Sequence, residues 1–216
     1  MADARRRLLG AAAVLTAAAL LGGCGSSGSS GDGPAAVIQT GDNHGYHGRF
    51  LELPYAVPDV ALKDTEGTPL SLAKDTATPV KIVFWGYSNC PDVCQIVMST
   101  VASALTRLDE QQKKQVEVVF VTTDPARDTG PALRRYLDRF SEEPFTGLTG
   151  SLPRIVAAGK PMGVYVDKGQ KLGSGGYEVV HSDYLYGASG TDVRLIWDRT
   201  VSPADLAADI IKLLKS

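Results

Sequence analysis

Lys81-Ile82-Val83-Phe84-Trp85-Gly86-Tyr87-Ser88-Asn89-Cys90-Pro91-Asp92-Val93-Cys94 is the stretch that decides how this chain folds. Its first half is a short, continuous apolar run with β-branched and aromatic side chains, the composition of a strand covered on both faces. Ser88, Asn89 and Pro91 are turn formers. Beyond Cys94, Ile96, Val97, Val101, Leu105 and Leu108 recur at helical spacing. A strand therefore runs into a helix through a turn that carries two cysteines. With Pro91 in the first helical turn, Cys90 is expected at or beside the N-cap. There it faces unpaired amides and the positive end of the helix dipole, and a thiol so placed loses its proton more readily. Cys94 follows four residues on, about one turn, and points to the same side.

Working outward, Val116 to Val121 reads as a second buried strand, and residues 131–140 as a helix. A short helix is expected at 151–159. Val164-Tyr165-Val166 and Arg194-Leu195-Ile196-Trp197 read as further strands. Ser202 as N-cap and Pro203 at the first helical position open a closing helix to Leu214. Upstream, residues 60–72 read as a hairpin with Glu66-Gly67 at its turn. Alternating strands and helices imply an α/β fold whose mixed sheet is covered on both faces. A cysteine pair at a strand-to-helix turn points to a thioredoxin-like architecture, here with an N-terminal β-hairpin extension.

Three residues separate the cysteines, where thioredoxins have two. The wider bite lets both sulfurs reach one metal ion. A disulfide stays open if Cys90 lies outside the regular helix, since it needs Cβ atoms about 3.5–4.5 Å apart. The pair can thus bind metal when reduced and cross-link when oxidised. Thiolates suit Cu(I), and Cu(II) wants an imidazole in addition. Of the three histidines, His181 is the best placed, just before the terminal hairpin. His44 and His47 form a loose H-x-x-H in a segment poor in apolar residues, either incidental or an auxiliary copper site. Phe84 and Trp85 read as core.

Tyr87-Ser88-Asn89-Cys90-Pro91-Asp92-Val93-Cys94 resembles the signature of the Sco/SenC family, the copper proteins of cytochrome c oxidase assembly. Thr123-Asp124-Pro125-Ala126-Arg127-Asp128-Thr129 resembles that family's second motif, and Val180-His181-Ser182 its third. The motifs come in the family's order, and the match runs from about Leu51 to Leu214. The resemblance implies a thioredoxin-like fold and copper, as Cu(I) and Cu(II), held by Cys90, Cys94 and His181. It also implies a role in maturing the dinuclear copper centre of the oxidase. The partners implied are the oxidase subunit that carries this centre and an upstream copper donor. Residues 184–190 look looser than the family's hairpin, which bears on the backbone around His181. Asp124, at a strand end facing the cysteine turn, is a candidate for tuning thiol protonation or copper affinity. Asp128 reads as a helix cap at least as well as a chemical group.

A rival reading makes the chain a thiol–disulfide reductase that keeps the cysteines of the oxidase copper site reduced, with Cys90 as the attacking sulfur. Peroxide reduction is weaker, because Ser88-Asn89 stands where a Thr/Pro-rich turn is wanted. A purely structural disulfide closing so short a loop would constrain the unfolded chain little.

The 216 residues, 44% hydrophobic and 21% charged, suit one globular domain, and the net charge of −2 leaves no basic excess for nucleic acid. Arg5-Arg6-Arg7, the apolar run Leu8 to Leu21 and Leu21-Gly22-Gly23-Cys24 resemble an export leader ending in a bacterial lipobox. Residues 1–23 are then a signal peptide, routed by the general or the twin-arginine pathway, and Cys24 carries lipid. Residues 24–50 form a Gly/Ser-rich tether and an approach segment, and residues 51–216 the copper-binding domain. The expected product is a monomer, lipid-anchored on the extracytoplasmic face of the cell membrane, with Cys90 and Cys94 a single pair in an oxidising compartment.

Overall fold

Val80 to Gly86 is buried at every position, and that burial sets the layout of the molecule. The computed structural model describes residues 42–171 and 177–216. The leader, Cys24 and the tether up to residue 41 lie outside the described residues. The elements run β1 (Arg49–Ala56), β2 (Leu62–Lys63), β3 (Pro69–Leu70), β4 (Val80–Gly86), α1 (Val93–Leu105), α2 (Glu110–Lys113), β5 (Val116–Thr122) and α3 (Gly130–Leu137). They continue with β6 (Thr146–Leu148), α4 (Leu152–Gly159), a 3-10 turn (Lys160–Met162), β7 (Val166–Lys171), β8 (Tyr177–His181), β9 (Leu185–Ser189), β10 (Asp192–Trp197) and α5 (Pro203–Leu213).

Six strands form one sheet in the order β1-β10-β9-β4-β5-β6. β4, β5 and β6 run parallel, and β9, β10 and β1 are antiparallel to their neighbours. Successive side chains of a strand point to opposite faces, so β4 feeds two cores. Val80, Ile82 and Phe84 pack with α1, α3 and α5, while Val83 and Trp85 pack with Leu62, Leu72 and α4. Burying each such side chain contributes roughly 1.5–3 kcal/mol before entropy is set against it. This is the thioredoxin-like mixed sheet expected, and β2 and β3 pair as the expected hairpin. Ser202 caps α5 as read, its hydroxyl accepting from the Asp205 amide at 3.1 Å.

Two stretches differ from the sequence reading. Residues 184–190, expected to be loose, contain β9, which is hydrogen-bonded to β4 on one side and β10 on the other. Gly187 explains the misleading composition: a side chain there would occupy the ring of Trp197. The approach segment is also fastened from Asp42 onward. Asp209 of α5 is 1% exposed. Its carboxylate accepts the amides of His47 (3.0 Å) and Gly48 (2.8 Å) and the Trp197 indole N–H (2.7 Å). The Lys212 ammonium donates to the His44 carbonyl. Residues 42–50 therefore belong to the folded body, and β1 follows directly.

Asp209→Ala should strand these buried donors. Its unfolding free energy is expected to fall by about 3 kcal/mol, read from the urea midpoint, with an unchanged midpoint showing that the clasp contributes nothing.

Candidate metal centre

The chain leaves the sheet at Gly86 and turns at once. The Cys90 amide donates to the Tyr87 carbonyl at 3.1 Å, closing a turn over Ser88 and Asn89. The helix starts later than its sequence suggested. Asp92 is the N-cap of α1, its carboxylate accepting from the Val93 amide at 2.6 Å. A carboxylate is a better cap than a thiol, so Cys90 and Pro91 stay outside the helix and Cys94 sits in its first turn. The Cys94 amide, one of the helix's unpaired donors, is given to Cys90 Sγ at 3.4 Å. Both cysteines are free thiols. Cys90 is 6% exposed and Cys94 fully buried. Gly86 makes room for the inner sulfur: a Cβ there would lie 2.9 Å from Cys94 Sγ and 3.1 Å from Phe120 Cζ.

The two thiols divide one proton between them. Cys90 is pulled from its ordinary 9.0 down to about 4, chiefly by a hydrogen bond from the Cys94 thiol. Burial opposes this, and His181 and the amides of Cys94 and Asp92 assist it. Cys94 is pushed up, first by the Cys90 sulfur and then by burial. The expected lowering at Cys90 is present, with the partner thiol rather than the helix end as its main cause.

His181 closes β8 and faces this turn from another element. Its Nδ1 lies 2.8 Å from the Ser182 carbonyl oxygen. A carbonyl only accepts, so Nδ1 carries a proton, which leaves Nε2 for the hydrogen bond between His181 and the Cys90 sulfur. The ring stands edge-on to Tyr87, with centroids 5.7 Å apart, and to Phe84 at 6.4 Å. Cys90, Tyr87, Arg127, Val180, His181 and Asp183 line a cleft of about 600 Å³. A second cleft of similar size, beside Glu117 and Phe145, is lined by neither cysteine nor histidine.

Among the described residues, no three His, Cys, Asp or Glu side chains are already closed into a metal cage. Cys90 and Cys94 meet, and His181 reaches the outer sulfur, so the imidazole has to draw in for a three-donor set. The donors nonetheless fit copper: a soft thiolate, a second thiol and an imidazole oriented through its Nδ1.

Asp124 is buried and ion-paired with Arg127. The Arg127 guanidinium lies 5.7 Å from the Tyr87 ring centroid, so Asp124 bears on the site through Arg127. Asp128, weighed above as a cap, is not one: Thr129 is the N-cap of α3. Its carboxylate accepts the Ser88 amide at 2.9 Å, the Ser88 hydroxyl, and the Thr122 hydroxyl at 2.6 Å. Sequence reasoning missed this contact, and the recurrence of Asp in residues 123–129 was its only trace. His44 pairs with Glu52 at 2.8 Å, and His47 with Asp205 and Asp209 at 3.3 and 3.1 Å. Neither lines the cysteine cleft.

A reactive cysteine pair on a strand-to-helix turn, opposed by a histidine and carried by a thioredoxin-like sheet, defines a thiol-based metal or redox protein. More specifically, the chain belongs to the SCO1/SenC family, whose family model matches residues 55–215. The solution structure of apo Sco1 from Thermus thermophilus is similar, with 30% identity, a TM-score of 0.70 and coverage of 80% of this chain and 99% of that one. The crystal structure of yeast Sco1 with copper bound has 28% identity, a TM-score of 0.66 and coverage of 76% and 90%. BsSco, described as a member of the Sco family of cytochrome c oxidase assembly proteins with a disulfide switch, shares the fold at 18% identity, with a TM-score of 0.60 and coverage of 76% and 95%. The chain spans 38–62% of the length of the curated relatives it matches.

The thiol asymmetry fixes a pH dependence. Because folding lowers the Cys90 value, its stabilising contribution is full above pH 9, declines as pH falls and is gone below about 4. Cys94 acts oppositely, since its unfolded thiol ionises above pH 9. The reduced protein should therefore gain stability from pH 4 to 9 and lose it above, in urea midpoints measured against pH. Cys90→Ser should flatten the rising limb, and a limb unaltered in that variant would contradict the assignment.

Proposed function

We propose that this chain is a copper-binding assembly factor. It takes copper from an upstream donor at Cys90, Cys94 and His181 and delivers it to the cytochrome c oxidase subunit carrying the dinuclear copper centre. The observation that carries this reading is a thiolate–thiol pair met by an imidazole that is oriented through its Nδ1 and hydrogen-bonded to the outer sulfur. The copper bound in the yeast Sco1 crystal structure supports it. The leader and Leu21-Gly22-Gly23-Cys24 support anchoring through lipidated Cys24 outside the cell membrane. Loss of membrane attachment in Cys24→Ser, read by cell fractionation, tests the anchor, and full retention would sink it.

The cargo ion meets groups in different states of readiness. Cys90 is already a thiolate, and Cys94 must release its proton on ligation, so uptake is pH-dependent. Cu(I) is satisfied by the two sulfurs at low coordination number. Cu(II) is harder and calls on the His181 imidazole as well.

The same thiol asymmetry favours a second reading, reduction of a disulfide in the target protein. Cys90 thiolate attacks one target sulfur, forming a mixed disulfide and releasing the other as thiolate. Cys94, once deprotonated, attacks Cys90 and frees the second target thiol. The target gains two electrons and the Cys90–Cys94 pair is left oxidised.

Cys90→Ser and Cys94→Ser should each lose tight Cu(I) binding in chelator competition. His181→Ala should weaken Cu(II) by roughly two to three decades, a few kcal/mol, while Cu(I) binding changes far less. An unchanged Cu(II) spectrum and affinity in His181→Ala would remove His181 from the ligand set.

A further inference from the structure

We infer that Asp128 is the positioning residue of the metal-accepting turn: it grips Ser88 from two sides and thereby fixes where Cys90 presents its sulfur. The grip is built from hydrogen bonds of definite direction. Oδ2 accepts the Ser88 amide at 2.9 Å and Oδ1 accepts the Ser88 hydroxyl. Oδ2 also accepts the Thr122 hydroxyl at 2.6 Å, at the end of β5. Three donors converge on two oxygens, and a carboxylate is the side chain that accepts at both. An asparagine would put a neutral donor at the Oδ1 position, so the Ser88 hydroxyl would have to reverse its direction and the charge-assisted acceptor would be lost.

The grip is itself anchored. The Asp128 amide donates to the Asp124 carbonyl at 2.9 Å, and its own carbonyl accepts the Thr149 hydroxyl at 3.1 Å, just beyond β6. Asp128 is fully buried, so water does not compete for these bonds and their directionality holds. On the other side, Ser88 is the first of the two residues inside the turn that the Cys90 amide closes on Tyr87. The next link is Cys90 Sγ against the Cys94 amide. Asp128 thus acts on the outer sulfur through Ser88 and touches neither end of the α1 cap.

A carboxylate with a purely structural role would stabilise the fold and leave the reactivity of Cys90 as it is. A positioning role links the two, and the Ser88 arm separates them. The inference rests on Cys90 being the reactive sulfur of the proposed copper site.

The test uses the full-length reduced chain and two probes. Iodoacetamide reports Cys90 by mass spectrometry of the alkylated protein at pH 6, and bicinchoninate competition reports Cu(I). Ser88→Ala and Asp128→Asn should each slow Cys90 alkylation and weaken Cu(I) by about tenfold, the value of one good hydrogen bond. Because both act through one contact, the double variant should be no slower than Asp128→Asn alone. Thr122→Val keeps the Ser88 arm; it should lower the melting temperature and leave the alkylation rate within about twofold of wild type. If Ser88→Ala and Asp128→Asn lower the melting temperature with wild-type alkylation, or if their effects multiply in the double variant, the inference is overturned. Should Asp128→Asn fail to fold, Ser88→Ala decides by the same rate. Failure of the unmutated chain to take Cu(I) would defeat the copper reading, and the alkylation arm would still decide the role of Asp128.

Discussion

β4 and β5 run parallel and finish in register, with Gly86 beside Thr122, and the site depends on that pairing. Parallel strands that stop together release two turns at the same edge of the sheet, the position where α/β folds collect their chemistry. One turn carries Cys90, and the other carries Asp124 and Asp128. A shift of register would separate them and leave Ser88 without its acceptor. The pairing is held by the two cores on either face of β4, whose alternating side chains are buried along its whole length.

The donor set is divided between unequal supports. Cys90 and Cys94 stand on the turn that follows the central strand and on the first turn of α1, among the most buried parts of the molecule. His181 stands on β8, which pairs with β7 in a separate two-stranded sheet. The pair of sulfurs is thus a fixed platform, and the imidazole is supplied from a different ribbon, oriented by the Ser182 carbonyl and the Tyr87 face. Such a division suits an ion that has to be received and released. In the proposed reading, Cu(I) would be satisfied by the platform alone, and the ribbon would join for Cu(II). A preformed three-donor cage would hold the ion more tightly and part with it more slowly.

Much of this was legible in the sequence because β4, β5, α1 and α5 have strong apolar patterns and clear caps. The cysteine turn was legible through residue chemistry and spacing, and His181 through the resemblance to the family's third motif. What escaped had weak local signals. β1 is an edge strand interrupted by Pro54 and a register shift between Phe50 and Tyr55. β6 has three residues. β9 hides behind Gly187, which serves Trp197 rather than a turn. Asp92 and Cys90 competed for the cap, and the carboxylate prevailed over the thiol. Asp128 was read as a cap at least as well as a chemical group, because its partner Ser88 lies forty residues away in the chain and only the parallel register brings them together. His47, read as incidental or as part of an auxiliary site, has its ring engaged by Asp205 and Asp209.

The claim that one ion is shared by the Cys90–Cys94 platform and the His181 ribbon is tested most directly by X-ray absorption at the copper edge. The protein would be loaded with one equivalent of copper and measured in each oxidation state. The account requires two sulfur neighbours in both states, with imidazole scattering strongest for Cu(II). A Cu(II) spectrum with imidazole but no sulfur would take the ion off the Cys90–Cys94 platform and contradict it.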